Sequence, residues 1–157
     1  MKTLAIMLTL FLCLPQLTNA NDLRDRIHAE GHYTGVGWQN DGNHWSIEVV
    51  LTDDGATVAY PSAECTGNWQ FLRETLALLE FREQITTGQE FCVETGYVML
   101  QPYMADRLLY SWGENPDHVE ARAVLVPVSQ GRMSYHQLMM LTLKSVPLDY
   151  LRPEFHR

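Results

Sequence analysis

From Gly31 onward the chain alternates apolar and polar positions with period two, the spacing of strands that bury one face. His44, Ser46 and Glu48 interleave with Trp45, Ile47, Val49 and Leu51, the clearest strand. Thr52-Asp53-Asp54-Gly55 then reads as a hairpin turn, with Ala56 to Tyr60 returning as the next strand. Further strands are predicted over Tyr33–Trp38, around Trp69, Phe71 and Arg73, and over Phe81–Thr86, Phe91–Glu94, Tyr97–Gln101, Arg107–Trp112 and His118–Val126. Thr87-Gly88-Gln89 and Glu114-Asn115-Pro116-Asp117 supply turns. Short strands at this spacing, without crossover helices, predict a mainly all-β antiparallel meander. Such a meander has exposed edges unless it closes or folds over, which favours a small barrel or a strongly curved sheet.

The ends read differently. In the polar lead, residues 21–30, Leu23 and Ile27 stand four apart and allow one or two helical turns. Residues 31–128 form the expected barrel domain, and residues 129–157 an extension packed on it. Leu138, Met139, Met140, Leu141 and Leu143 suit a helix there, while Tyr135, Met139, Leu141 and Leu143 also suit a strand, and periodicity leaves both open. Ahead of the lead, Lys2, an apolar run from Leu4 to Leu14, Pro15 and small residues ending at Ala20 have the layout of a secretory signal peptide. Its apolar run is shorter than a membrane span of about 20 residues, so no transmembrane anchor is expected after cleavage. Lipidation at Cys13 would require small residues where Phe11 and Leu12 stand.

The expected destination is periplasmic or secreted, which changes the reading of the cysteines. Cys65 and Cys92 remain as an even pair in an oxidising space, where one disulfide is expected and two buried free thiols are the alternative. They lack the CxxC or nearby-histidine spacing of a zinc site. The composition, 46% hydrophobic and 19% charged over 157 residues, is that of a globular chain and excludes fibrous or disordered classes. The net charge of −8 becomes one unit more negative once Lys2 leaves with the signal. A surface of that sign disfavours nucleic acid and anionic lipid as partners.

Few residues suggest chemistry. His28 and His32 have the spacing of half a metal site on a helix, which Gly31 interrupts. The other histidines are scattered, so no metal is assigned. Ser62 near Glu64 has neither a GxSxG elbow nor a local histidine, and no catalytic residue is assigned. Gly35-Val36-Gly37 lacks the third glycine and helix of a dinucleotide site and reads as a kinked strand, so no cofactor is expected. Glu83, between Phe81 and Ile85, puts a carboxylate on an apolar strand face. It requires a partner there, either an arginine such as Arg73 or Arg107 in a structural network, or a ligand. Trp38, Trp45, Tyr110 and Trp112, with Trp69, Tyr60 and Tyr97, are expected to fill the barrel core or to line its mouth.

The ordered set Tyr60-Pro61-Ser62, Cys65, Gly67 and Trp69, followed by Glu83, Ile85, Gly88 and Cys92, reads as YPSxxCxGxW and then ExIxxGxxxC. With Gly96, Leu100, Tyr110 and Trp112, it resembles a small secreted bacterial domain of unassigned activity, also found appended to some bacterial serine/threonine kinases. The resemblance spans roughly Tyr33 to Val126. It implies a calycin-like barrel with Cys65 and Cys92 paired, and implies no reaction. The expected function is a non-enzymatic secreted or periplasmic module binding a protein or small-molecule ligand. A calycin-like carrier of a small apolar molecule and a hydrolase or metal-dependent enzyme are the alternatives.

Overall fold

The computed structural model describes residues 21–104 and 106–145. The expected signal segment 1–20 and the last part of the extension, residues 146–157, lie outside the described residues. A helix α1 (Asn21–Glu30) precedes strands β1 (His32–Gln39), β2 (His44–Thr52), β3 (Gly55–Tyr60), β4 (Cys65–Glu74), β5 (Leu79–Thr87), β6 (Thr95–Tyr103), β7 (Arg107–Gly113) and β8 (Ala121–Pro127). Short 3-10 turns occupy Pro61–Ala63 and Val128–Gln130, and helix α2 (Tyr135–Ser145) follows. Each strand pairs antiparallel with its sequence neighbour and β8 returns to β1, so the sheet is a closed barrel.

Period-two alternation sets the inward face. Ile47 and Val49 of β2, Phe81 and Ile85 of β5, Val98 and Leu100 of β6, and Leu125 of β8 are buried in one core with Trp69 and Tyr110. Leu23 and Ile27 of α1 join that core, so the amphipathic turns of the polar lead plug one end of the barrel. Tyr33 fixes the plug by donating its hydroxyl to the Ile27 carbonyl at 3.1 Å. Gly31, at φ +64°, ends the helix and directs the chain into β1. At the rim the Arg24 guanidinium lies 4.4 Å from the Phe71 ring centroid and donates to the Asp53 carbonyl.

A second, smaller core lies outside the barrel, where Leu138, Met139 and Leu141 of α2, with Met133, cover Val36 and Val126. Here the β1–β8 ladder opens: Gly35 pairs with Leu125 and Trp38 with Arg122, with no pairing between them. Thr142 of α2, fully buried, fills the gap by donating to the Val36 carbonyl at 2.8 Å and accepting from the Val124 amide at 3.0 Å. Thr142 therefore hydrogen-bonds the extension to the backbone of the sheet at its seam, and Tyr135 adds a side-chain hydrogen bond to His44 of β2 at 2.7 Å.

Two expected elements differ. Phe91–Glu94 is no strand: the Phe91 and Cys92 amides both donate to the Gly88 carbonyl, at 3.0 and 3.1 Å, curling the segment into a turn. That curl brings Cys92 to Cys65, and the two form a disulfide with their Cα atoms 6.5 Å apart. The last strand begins at Ala121 rather than His118, because His118 is held in the preceding turn opposite Asn115. Among the described residues no helix is long and apolar enough to cross a membrane.

Candidate functional site

The barrel end opposite α1 is open. Its cavity, about 320 Å³, reaches inward between the β1–β2 turn, the Pro61–Ala63 turn, the disulfide loop and the end of β7. The walls are Trp45 on β2, Tyr60 on β3, Ile85 on β5, and Tyr110 and Trp112 on β7. Gln39, Asn43, His44 and Ser62 bring polar groups to one side, and Phe91 and Val93 stand exposed at the rim.

Glu83 forms part of the cavity lining although it is only 3% exposed. Its Oε1 accepts the Tyr60 hydroxyl and, at 2.8 Å, Trp69 Nε1–H, while Oε2 accepts Trp112 Nε1–H at 2.6 Å. Trp69 stacks on Tyr110 with centroids 5.8 Å apart, and the Tyr110 hydroxyl lies 3.5 Å from that of Tyr60. Four aromatic side chains from β3, β4 and β7 thus surround one carboxylate. Burial pushes the Glu83 carboxyl above the usual glutamate range, against the opposing pull of its three donors. Burial likewise holds the Tyr60 and Tyr110 hydroxyls well above the tyrosine range, and the nearby Glu83 charge adds to the effect.

Missing side chains aim the indoles. A Cβ on Gly96 of β6 would stand 2.2 Å from Trp112 Nε1, so only glycine lets that ring reach Glu83. A Cβ on Gly37 would meet the Trp45 ring at 2.8 Å, which assigns the glycines of β1 a packing role.

The arginine expected opposite Glu83 is replaced by neutral donors. Arg73 shares the inward parity of Trp69 and Phe71, but a register shift between Phe71 and Arg73 turns it outward. There it pairs with Glu80, at 2.6 Å to Oε2 and 2.8 Å to Oε1. Arg107 precedes inward Leu108 and donates to the Met104 sulfur at 3.8 Å.

The structure gathers most of the singled-out residues at this mouth. Tyr60, Ser62, Glu83, Cys92, Trp45, Tyr110 and Trp112 line it, Trp69 lies beneath, and Pro61 opens the turn at its edge. Cys65 and Gly67 belong to β4; a Cβ on Gly67 would strike the Gln84 carbonyl at 2.6 Å. Gly88 takes φ +74° in the turn that approaches Cys65. Trp38 and Tyr97 are the exceptions: Trp38 is half-buried outside the cavity beside His44, with centroids 5.6 Å apart, and Tyr97 is half-buried on the outer face of β6, with the Arg82 guanidinium 4.4 Å from its ring centroid. Gln39, Asn43 and the rim residues Phe91 and Val93 carried no sequence signal of this role.

The other chemical candidates are not assembled into sites. Ser62 and Ser46 exchange amide-to-hydroxyl hydrogen bonds at 2.8 and 2.9 Å, a clip between the turn and β2. His28 and His32 do not share a helix, since α1 ends at Glu30 and His32 begins β1. Among the described residues no three His, Cys, Asp or Glu side chains group closely enough to hold a metal ion. A depression of about 360 Å³ at the plugged end, between Arg24, Asp25, His28, Asp53 and Glu74, is charged and lacks the aromatic walls of the mouth. Comparison with protein-family models, curated proteins and solved structures gives no match.

Proposed function

We propose that this chain is an extracytoplasmic binding protein that holds a small, largely apolar molecule in the open mouth of its barrel, without chemical turnover. The observation that carries the reading is the asymmetry of the two ends: α1 seals one, while the other holds a 320 Å³ aromatic cavity with a single carboxylate in its lining. That volume lies at the lower end of the range for small-molecule sites, which are mostly apolar with a few fixed polar groups. Binding is favoured over catalysis because the aliphatic hydroxyl in the lining, Ser62, is held by the Ser46 amide, and the Tyr60 hydroxyl is engaged in fixing Glu83. The signal-like segment 1–20 and the Cys65–Cys92 disulfide support a secreted or periplasmic location. The motif running from Tyr60 to Cys92 supports membership of the small secreted bacterial domain that it resembles.

The test is titration with N-phenyl-1-naphthylamine, an uncharged probe that fluoresces on leaving water. Wild-type protein should give saturable one-to-one enhancement, and Ala63→Trp, which fills the mouth from its edge, should abolish it. Enhancement that is absent, or unchanged in Ala63→Trp, would refute the reading.

A further inference from the structure

The aromatic walls alone would accept any small apolar molecule, but the carboxylate among them narrows the choice. Glu83 accepts hydrogen bonds from Tyr60, Trp69 and Trp112, all neutral donors, so no positive charge balances it through these contacts. Two of the three are indole N–H groups, which only donate, so both carboxylate oxygens are set as acceptors. A carboxylate offers about four acceptor positions, and three are used here. The remaining one belongs to Oε2, which holds a single bond, to Trp112. Among the described residues lining the cavity there is no arginine or lysine. Besides the polar Gln39, Asn43, His44 and Ser62, the lining contains the rings of Trp45, Tyr60, Tyr110 and Trp112, and an aromatic face carries the negative end of the ring quadrupole.

We infer that the mouth is a cation site, selecting a small organic ammonium whose nitrogen reaches Glu83 Oε2 between the aromatic walls while its apolar part occupies the rest of the cavity. This rests on the binding function proposed above and names the ligand class. A cation gains a charge-assisted hydrogen bond at the open acceptor position together with attraction to the ring faces. A neutral isostere leaves the buried charge uncompensated, and an anion is repelled by it. The overall charge of −8 draws a cation towards the protein in the same sense.

The experiment is calorimetric titration of wild-type protein at neutral pH and low salt with 2-phenylethylamine, 2-phenylethanol and 3-phenylpropanoate, probes of similar size that differ in charge. The amine should bind about tenfold or more tighter than the alcohol, with the carboxylate weakest. Glu83→Gln should erase the amine preference and leave the alcohol bound. Equal affinities for amine and alcohol, a preference for the carboxylate, or an amine preference that survives Glu83→Gln would each overturn the inference. The wild-type ranking decides it even where the variant fails to fold. N-phenyl-1-naphthylamine bound at the mouth without amine preference would reject the ligand class and leave the binding function standing. Loss of saturable binding for every probe would reject both.

Discussion

Glu83→Gln preserves the length and shape of the side chain but exchanges one acceptor oxygen for an NH2 donor. In the barrel one oxygen faces Trp69 Nε1–H and the other faces Trp112 Nε1–H. Neither indole can become an acceptor, so either orientation of the amide leaves one buried indole facing a donor. An orphaned buried donor costs about 1–3 kcal/mol, and the surviving bonds lose their charge assistance. Burying a neutral amide in place of a charge offsets part of this, for a net loss of about 2 kcal/mol at neutral pH. Breaking a buried ion pair would cost about 3–5 kcal/mol, so the magnitude separates neutral donors from an arginine partner. The pH dependence has a definite sign. Because the folded-state pKa of Glu83 is raised, its contribution to stability is complete below the unfolded pKa and is lost as pH rises through the folded value. Tyr60 and Tyr110, which face it, remain protonated across that window. Denaturant melts of wild type and variant, from the ordinary glutamate pKa upward to neutrality, should show their stability difference shrinking as pH rises. A difference that grows with pH, a neutral-pH loss above about 4 kcal/mol, or one within about 0.5 kcal/mol of zero would refute the reasoning.

Replacing Cys65 and Cys92 together by alanine opens a loop with a sequence separation of 27 and should cost about 3.5 kcal/mol by the loop-entropy relation. Reversible melts measure this, and alkylation of the unreduced, denatured wild type should label neither cysteine. Thr142→Val keeps the volume but strips hydrogen bonds from the Val36 carbonyl and the Val124 amide, both at the barrel seam. A loss of about 3 kcal/mol is expected, with faster amide exchange at Val124. Gly96→Ala should displace the Trp112 ring, destabilising the fold by about 1–3 kcal/mol and changing the near-ultraviolet circular dichroism.

Much of the barrel is legible in the chain because alternation is a local property. His44 to Leu51 shows its buried face directly, and Asp53-Asp54-Gly55 marks where β2 turns into β3. Alternation also places Glu83 on the inner face, yet parity names a face and not a neighbour. The donors that reach Glu83 come from β3, β4 and β7, whose approach depends on barrel closure. Arg73 misled for a related reason: the register shift before it breaks the parity that its position suggests. At Phe91–Glu94 the cysteine mattered more than the apolar residues, since Cys92 curls back to Cys65 rather than extending. The helix-or-strand ambiguity of the extension had a resolving signal in Ser134 and Gln137. The Gln137 side chain accepts the Ser134 amide at 2.8 Å while the Ser134 hydroxyl accepts the Gln137 amide at 3.3 Å, a capping box that starts α2. The open mouth is not legible, because which end α1 plugs is decided only when the barrel closes.

The central claim, that the end of the barrel containing Glu83 is the binding site, is tested most directly by the indole N–H resonances of the four tryptophans during titration with 2-phenylethylamine. The Trp112 indole, bonded to Oε2, should shift progressively and saturably, Trp69 and Trp45 should follow with the same midpoint, and Trp38, outside the cavity, should stay in place. Shifts confined to Trp38, or a Trp112 resonance that does not move while the amine binds, would contradict it.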